Sequence, residues 1–246
     1  MYQPRSEHLR LPDQHQAGAL RARLDSAGYV VMREFANAAL LDALRADAAR
    51  LCAKSREELD GTVVHRDQSE RVLSMHYLDR HSDLLFDLTR LPEVQLLADR
   101  LVGARTVPFL TEYFGKPGPD SEPTPPHQDQ IFYRDHFGEE QAISMWIALT
   151  DVDDESGVLQ YATRQPSVGE LLKHHDTDAA NFRAELIDGS AFSYVSAPVP
   201  AGGAVVHHSY AVHRSGPIHT GAPRSAVALN FRRSAYREHL NPLVPA

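Results

Sequence analysis

The chain has 246 residues, with 42% apolar and 24% charged side chains, which is ordinary globular composition and argues against a disordered protein. Its formal net charge of -8 gives no sign of the basic face that a nucleic-acid-binding protein needs. The one cysteine, Cys52, excludes an intrachain disulfide, and we interpret it as a packing residue rather than a nucleophile.

The N-terminal part of the chain is predicted to be helical. Residues 1–12 are polar and lack the apolar core of a signal peptide, and no later run is long enough to span a membrane. We therefore expect a cytoplasmic protein with no membrane partner. Apolar spacing and capping residues predict a helix over 17–26 that Gly28 ends, a strand over 29–32, a helix over 38–53 capped by Asn37, an exposed segment over 54–70, and a helix from Pro92 to about Leu101.

From residue 105 the pattern changes to short, β-rich apolar stretches. They cover residues 106–114, 142–149, 158–161, 203–208 and 225–231, separated by Gly, Pro, Asp and Ser. Short strands after a helical block predict an antiparallel barrel or sandwich with flanking helices. We predict that residues 116–126 form a loop and that the weakly patterned segment 165–200 is an insertion covering a pocket.

A His-x-Asp pair, His127 and Asp129, is the first candidate site. In a strand, residues i and i+2 point to the same face, so the imidazole and carboxylate would converge and could supply two ligands of a two-His, one-carboxylate iron site. By itself this pair is weak evidence, because a local loop hydrogen bond explains it equally well. His213, which follows a late apolar stretch, could complete the triad and leave three coordination positions for other ligands.

Two further features lie near these residues in the predicted strands. Arg224 begins the run 225–229, where a guanidinium could hold a carboxylate with two hydrogen bonds, although in isolation a surface arginine at a strand start is the simpler interpretation. Residues 146–151 and 155–159 read as a buried strand, an acidic turn and a return strand. Trp146, in the first of these strands, could simply be a core residue.

Together these segments resemble the phytanoyl-CoA dioxygenase (PhyH-like) family of Fe(II)/2-oxoglutarate-dependent oxygenases. The resemblance covers roughly residues 20–232 and rests on the order and spacing of the pieces, since no single motif is specific. The matching pieces are Lys116-Pro117, His127-Gln128-Asp129, Trp146 to Asp151, Glu155 to Leu159, His213 to Pro217 and Pro223-Arg224.

The resemblance implies a mainly β fold, a double-stranded β-helix (jelly roll, cupin-like) with helices outside. The domain would span 1–246, with a helical part over 13–102 and a β-helix core over about 105–232. It implies that Fe(II) is held by His127, Asp129 and His213, and that Arg224, with the Ser215 hydroxyl, binds the distal carboxylate of the cosubstrate 2-oxoglutarate. Trp146 would line the cosubstrate side of the pocket.

Several residues remain ambiguous at this stage. His207, His208 and His219 are neighbours that could compete with His213, but only His213 precedes the Arg-Ser-Gly-Pro stretch, and His208 matches a family position that is often His without being a ligand. Some members use an additional Lys against 2-oxoglutarate, and residues 71–77, where it should fall, contain none. His76 or Tyr77 could replace it. Candidate substrate-pocket residues near the motif are Thr111, Tyr113, Gln130, Phe132 and Tyr133.

The implied activity is oxidation of a C–H bond of a small molecule with O2 and 2-oxoglutarate, releasing succinate and CO2. Hydroxylation is the expected outcome, and epimerisation, cyclisation or desaturation in a biosynthetic pathway remain alternatives. A non-catalytic jelly-roll protein that binds a metal or ligand is the alternative of another class. Retention of both the triad and Arg224 argues against it, and a nucleic-acid demethylase lacks a visible basic or aromatic surface.

Overall fold

The first part of the chain is mostly helical, and the part that follows forms a β-rich core. The computed structural model describes residues 2–119, 121–138, 140–177 and 182–234. Its helices are α1 (Gln14–Ala27), α2 (Ala38–Cys52), α3 (Asp83–Arg90), α4 (Pro92–Val102) and α5 (Gln130–Phe137). Its strands are β1 (Tyr29–Met32), β2 (Val63–Arg66), β3 (Val72–His76), β4 (Thr106–Lys116), β5 (Thr124–His127), β6 (Ala142–Ala148), β7 (Leu159–Ala162), β8 (His174–Asp176), β9 (Ala184–Leu186), β10 (Tyr194–Ser196), β11 (Ala204–His208), β12 (His213–Ser215) and β13 (Arg224–Arg233).

The helices α1, α2 and α4 lie close to where the sequence predicts them. The Asn37 side chain accepts a hydrogen bond from the Leu40 backbone N–H at 3.0 Å, which satisfies one of the free donors at the start of α2. Gly28 adopts φ 80, a left-handed conformation that ends α1 and that residues with a Cβ rarely adopt. The buried leucines of α2 follow helical spacing, so its apolar face packs against the core.

Several short elements were not predicted by the sequence patterns, among them β2, β5, α3 and α5. The segment 54–70, predicted to be exposed, contains β2, an edge strand in which Val63 is 47% exposed. The predicted loop 116–126 ends in β5. The helices α3 and α5 have only eight residues each, and two turns give too few apolar repeats for a clear periodicity.

Two antiparallel sheets form the centre of the molecule. The large sheet has the strand order β1-β11-β6-β13-β4-β3-β2 and the small sheet the order β10-β7-β12-β5, while β8 and β9 form a separate pair. The small sheet packs on one face of the large sheet, and the helices pack on the other. The described chain therefore has the helix–sheet–sheet layering expected of a double-stranded β-helix with external helices.

Strand β6 shows how the layers use alternate residues. All seven of its residues are buried. Ile143, Met145 and Ile147 pack into the core beneath the helices, whereas Trp146 and Ala148 pack into the core between the sheets. Because successive side chains of a strand point to opposite faces, even-numbered positions of β6 face the small sheet and the space that it encloses.

Within the described ranges, no helix combines the length and apolar character required to cross a membrane.

Candidate metal centre and cosubstrate site

His127, Asp129 and His213 come together between the two sheets. His127 ends β5 and is the cross-strand partner of His213 in β12. The Nε2 atom of His127 lies 3.3 Å from Asp129 Oδ1, and the Nε2 atom of His213 lies 3.7 Å from the same oxygen. One donor atom from each residue falls within 4.8 Å of the other two. This is a set of two imidazoles and one carboxylate arranged around one point, the ligand set of a non-haem iron site.

The way in which Asp129 reaches this point differs from the sequence prediction. His127 and Asp129 were expected on one face of a strand, but β5 ends at His127, and Asp129 has the helical angles φ -58 and ψ -26 at the start of α5. The same-strand interpretation is therefore wrong, although the predicted convergence of the two side chains is found. The chain turns at Gln128, whose fully buried amide faces away from the cluster.

Backbone carbonyls fix the orientation of the two ligand imidazoles. His127 Nδ1 lies 2.8 Å from the Pro125 carbonyl, and His213 Nδ1 lies 3.0 Å from the Ala211 carbonyl. A carbonyl oxygen can only accept a hydrogen bond, so Nδ1 carries the proton in both rings. The lone pair of each ring is then on Nε2, the atom that faces Asp129. Metal-binding histidines are commonly oriented by such a bond from the other ring nitrogen.

A third imidazole, His207, contacts the other oxygen of Asp129. Its Nε2 lies 3.0 Å from Asp129 Oδ2, and its Nδ1 lies 2.8 Å from the hydroxyl of buried Tyr161. His207 therefore orients the carboxylate from the side of the large sheet, while Oδ1 faces His127 and His213. Sequence reasoning named His207 only as a competitor for His213. The signal that could have found it is its place in β11, whose register sets it opposite Ser144 of β6.

The neighbouring His208 points away from the cluster. It alternates with His207 along β11 and is 1% exposed. Burial, and then the charge of His207, lowers the pKa of His208 to about 4. It is therefore a neutral core residue at neutral pH, and the expectation that it is not a ligand agrees with its position.

The protonation states of the cluster suit a metal. Burial alone would raise the pKa of the Asp129 carboxyl, but the charges and hydrogen bonds of His213, His127 and His207 hold that pKa well below its usual value. Burial, and then the charge of His127, holds the pKa of His213 well below its usual value. An ionised carboxylate with neutral imidazoles is the form in which these groups bind a divalent cation.

A second group, Arg224 and Lys116, supplies two buried positive charges. These residues are cross-strand partners in β13 and β4, and they are 4% and 5% exposed. The guanidinium lies over the Trp146 ring at 5.1 Å, and its Nη2 donates to the Gly157 carbonyl at 2.8 Å. Among the described residues, Arg224 Nε has no hydrogen-bond partner and no carboxylate lies within 4 Å of either cation.

The pKa values of these cations show how costly their burial is. Burial, and then the charge of Arg224, lowers the pKa of Lys116 to about 7. Burial lowers the pKa of Arg224 to about 10. Two desolvated cations side by side are unfavourable unless an anion joins them, so this corner of the site fits a carboxylate. The Ser215 hydroxyl, hydrogen-bonded to Thr124 at 2.9 Å, lines the same cavity.

Lys116 is the second residue whose role sequence reasoning missed. His76 or Tyr77 was expected to replace the absent Lys of segment 71–77. Both line the cavity, but His76 Nδ1 is occupied by Glu112, four residues along β4 from Lys116. The structure instead places Lys116 beside Arg224, so the residues next to the expected carboxylate site are Arg224 and Lys116 rather than Arg224 and His76.

One cavity of about 910 Å³ joins the metal cluster to the cation pair. Of the predicted pocket residues, Phe132 and Tyr133 line it, whereas Thr111, Tyr113 and Gln130 lie elsewhere. Thr111 and Tyr113 occupy the positions of β4 that alternate with its cavity-lining residues, and Thr111 Oγ1 donates to Asp79 at 3.0 Å. The Gln130 amide donates to the Gly138 carbonyl at the end of α5. The structure therefore does not place these three residues on the wall of this cavity.

The predicted insertion 165–200 contributes a covering residue. The Phe182 ring lies 4.0 Å from the ring of His127 at a tilt of 53° and packs edge-on against Phe132 at 5.2 Å, and it lines the cavity. An aromatic ring against the His127 imidazole reduces access of water to the cluster. The segment thus covers part of the pocket, as expected from its position in the chain.

Comparison with known proteins gives one family and one fold. The family model described as phytanoyl-CoA dioxygenase (PhyH) matches residues 24–226. Phytanoyl-CoA dioxygenase domain-containing protein 1 of Danio rerio is 30% identical over 179 residues, covering 70% of this chain, and its Mus musculus counterpart is 26% identical over 166 residues, covering 65%. The matched regions span 60% and 56% of those proteins.

Solved structures of similar fold come from Fe/2-oxoglutarate enzymes. The epimerase SnoN from nogalamycin biosynthesis has a TM-score of 0.70 at 23% identity, with 95% of this chain and 93% of SnoN covered. EvdO2 from Micromonospora carbonacea complexed with 2-oxoglutarate has 0.71 at 22%, covering 92% and 93%. EctD from S. alaskensis with bound Fe has 0.71 at 20%, covering 94% and 83%. The predicted double-stranded β-helix fold is thereby confirmed.

Proposed function

Because the chain belongs to the phytanoyl-CoA dioxygenase family of Fe(II)/2-oxoglutarate-dependent enzymes, we propose that it oxidises a C–H bond of a small molecule with O2 and 2-oxoglutarate. Hydroxylation, with release of succinate and CO2, is the proposed outcome. The observation that carries the proposal is the shared cavity, in which a two-His, one-carboxylate cluster faces a pair of buried cations. A metal-binding protein without turnover would have no use for the second group.

The proposed roles follow from these positions. His127, Asp129 and His213 would hold Fe(II), which together with 2-oxoglutarate and O2 supplies the oxidising chemistry. Arg224, supported by Lys116, would bind the distal carboxylate through charge-assisted hydrogen bonds, and the Ser215 hydroxyl would add a neutral one.

Other side chains would keep the site dry and aligned. Trp146 packs under the Arg224 guanidinium and holds it in place. Phe182 covers the His127 imidazole and excludes water from that side. His207 fixes the plane of the Asp129 carboxylate, so that Oδ1 rather than Oδ2 faces the metal position.

A second outcome on the same site is epimerisation, cyclisation or desaturation. It is favoured by the solved structures of similar fold, which include one of SnoN with Fe3+, alpha ketoglutarate and nogalamycin RO and one of the carbocyclase SnoK. SnoN and SnoK both come from nogalamycin biosynthesis. Because the residues around a bound substrate decide the outcome, the metal cluster itself fits each of these reactions equally well.

The decisive experiment measures succinate. Protein loaded with Fe(II) and 2-oxoglutarate without oxygen is exposed to O2, and succinate is quantified by mass spectrometry. We expect His127→Ala, Asp129→Ala and His213→Ala each to abolish succinate formation while the far-ultraviolet circular dichroism stays unchanged. His208→Ala is the matched control and should retain activity. Activity that survives in His213→Ala but disappears in His208→Ala would refute the ligand assignment.

The outcome of the reaction is read from the substrate. A pool of metabolites is incubated with the wild type, Fe(II), 2-oxoglutarate and O2, and compared with the same pool and His213→Ala. A product that gains one oxygen atom identifies hydroxylation, loss of two hydrogens identifies desaturation or cyclisation, and an unchanged mass with altered retention identifies epimerisation. If no compound in the pool increases succinate formation, the result would count against a small-molecule substrate from that pool.

A further inference from the structure

A buried carboxylate, Glu112, lies on the cavity wall outside the metal cluster. It is 6% exposed, and its Oε1 lies 2.6 Å from His76 Nδ1. Its Oε2 accepts a hydrogen bond from the Asn230 amide at 2.8 Å. The three residues come from the adjacent strands β3, β4 and β13, and both Glu112 and His76 line the cavity. The pair is thus built into the large sheet rather than into a loop.

The position of Glu112 along β4 separates it from the cation pair. Glu112 and Lys116 lie on the same face of β4, four residues apart, which corresponds to about 13 Å at the rise of an extended strand. Tyr133 also lines the cavity, and burial, followed by the charges of Glu112 and Asp129, raises its pKa. The cavity wall therefore has a cationic end at Lys116 and Arg224 and, further along β4, an acceptor group at Glu112.

A purely structural role explains Glu112 poorly. Burying a carboxylate costs several kcal/mol unless its partners compensate, and a hydrophobic residue of similar volume often stabilises a sheet as well. Among the described residues, each oxygen of Glu112 has one hydrogen-bond partner, and each can accept more than one hydrogen bond. Beside it, the Asn230 Oδ1 atom is a buried acceptor that has no partner among the described residues. The cluster thus offers more acceptors than the sheet uses.

The surroundings limit the charge of a ligand at this end. The Glu112 carboxylate repels an anion. Burial lowers the pKa of His76, but the hydrogen bond and charge of Glu112 outweigh it and raise that pKa above its usual value. A protonated His76 would neutralise the pair and remove its attraction for a cation. Arg183 and Arg232 also line the cavity and disfavour a cation further.

The remaining wall at this end is apolar. Phe109, Leu110 and Phe132 line the cavity beside the pair, and the ring of Phe109 packs edge-on against Tyr133 at 5.1 Å. Such a wall suits a hydrocarbon or aromatic body, and a few placed polar groups then fix its orientation.

We propose that Glu112 and His76 form a recognition subsite for a hydroxyl group on an otherwise apolar, uncharged substrate. The hydroxyl donates to a free lone pair of Glu112, while His76 Nδ1, 2.6 Å from Oε1, holds the carboxylate in position. This inference rests on the proposed function, because it assigns this end of the cavity to the substrate.

The test compares three probes of matched shape. Phenethyl alcohol, propylbenzene and phenethylammonium are titrated into the metal-free protein, and dissociation constants are measured by ligand-observed NMR. In Glu112→Gln, which loses the charge but keeps the shape, we expect the affinity ratio of the alcohol to the hydrocarbon to fall several-fold, up to about tenfold. Glu185→Gln is the matched control, because Glu185 pairs with His175 at 3.7 Å on the exposed β8–β9 pair, and the ratio should not change.

Three results would overturn the proposal: an unchanged ratio in Glu112→Gln, a wild-type preference for phenethylammonium, or an equal loss in Glu185→Gln. If Glu112→Gln does not fold, His76→Gln carries the same test, since His76 is only partly buried. Binding is read without metal, so it is independent of turnover. Glu112-dependent alcohol binding without Fe(II)-dependent succinate would refute the proposed function alone, and the reverse result would refute the subsite alone.

Discussion

Arg224 is the side chain on which cosubstrate affinity should depend most. Its buried guanidinium has an unpaired Nε among the described residues, and each charge-assisted hydrogen bond to a carboxylate contributes about 1.5–3 kcal/mol. We expect Arg224→Ala to raise the dissociation constant of 2-oxoglutarate by about tenfold or more. Arg224→Lys should recover only part of this, because an ammonium cannot form the two-pronged contact.

The measurement is calorimetric titration of 2-oxoglutarate with Zn(II) in place of Fe(II). Arg232→Ala is the matched control, since Arg232 lies on the same strand β13, lines the other end of the cavity and pairs with Glu140 at 3.0 Å. Its dissociation constant should equal that of the wild type. An unchanged affinity in Arg224→Ala would remove the assignment of the cation pair to the cosubstrate.

Lys116 should make cosubstrate binding depend on pH. Its pKa is about 7 in the free site, so above that pH it is largely neutral. A bound carboxylate favours the ammonium and raises this pKa, so binding takes up a proton and weakens as pH rises above about 7, by up to about tenfold per pH unit. Lys116→Met should lose this component. Titrations of both proteins between about pH 6.5 and pH 8.5 test it, and parallel pH profiles would contradict it.

At the residue scale, the sequence predicted the site residues that belong to motifs with a regular order and spacing. It missed the roles of residues that become neighbours only when strands pair. His127, Asp129, His213 and Arg224 follow from the order of short motifs. Lys116 belongs to the Lys116-Pro117 motif. Its proposed role, however, depends on the pairing register of β4 and β13, which places it beside Arg224. Glu112 lies in a Thr-Glu-Tyr alternation that is typical of a strand with a solvated face, and only the covering sheet shows that this face lines a cavity.

At the scale of elements, Gln128 connects the end of β5 to the covering segment. Its amide donates to the carbonyls of Glu170 at 2.9 Å and Tyr210 at 2.7 Å, and it accepts from the Leu172 N–H at 2.8 Å. The buried Gln128 side chain thus forms hydrogen bonds with three backbone groups. On that side, water cannot reach these groups and replace it. Gln128, which lies between His127 and Asp129 in the sequence, therefore anchors the segment that leads towards Phe182.

Replacing Gln128 with Ala should loosen this segment. Leaving buried backbone groups unpaired costs about 1–3 kcal/mol each at most, so we expect a lower unfolding free energy and faster amide exchange at 170–176 than elsewhere. Hydrogen–deuterium exchange with mass spectrometry measures both. Gln160→Ala, which removes contacts to Arg214 and Ser196 on neighbouring strands, is the control. Faster exchange spread evenly over the chain would contradict the local role.

The elements that the sequence predicted correctly are those with a long repeat or a definite end. The helix α2 has a capping Asn37 and four buried leucines at helical spacing, and β13 is a nearly continuous apolar run. The helix α5 was missed because it starts directly after His127-Gln128-Asp129, which is equally compatible with a strand. The strands β8, β9 and β10 have three residues each, too few to show an alternation.

At the scale of the whole molecule, the layered fold explains why the site is dry and rigid. The large sheet is covered by helices on one face and by the small sheet on the other, so its cavity-facing side chains are held by two cores. The proposed metal ligands come from the small sheet and the start of α5, whereas Lys116, Arg224 and His207 come from the large sheet. The proposed metal position thus lies between the two sheets, and a ligand that bridges them should stabilise the whole fold.

This bridging predicts a large thermal shift on joint addition of Zn(II) and 2-oxoglutarate. A ligand at about one hundred times its dissociation constant stabilises the folded state by about 2.7 kcal/mol. For a chain of this length, each kcal/mol raises the melting temperature by about 2–4 °C, so we expect an increase of about 5–10 °C. Differential scanning calorimetry of the free and loaded protein measures it.

Single-site variants separate the stabilisation by Zn(II) from the stabilisation by 2-oxoglutarate. Asp129→Ala should lose the shift from Zn(II) and most of the shift from 2-oxoglutarate, because the cosubstrate then has only the cation pair to bind. Arg224→Ala should keep the shift from Zn(II) and lose part of the further shift from 2-oxoglutarate. Since binding free energies are reciprocal, Zn(II) should tighten 2-oxoglutarate by the same factor by which 2-oxoglutarate tightens Zn(II). Shifts that add independently, with 2-oxoglutarate fully effective in Asp129→Ala, would mean that metal and cosubstrate do not share one site between the sheets.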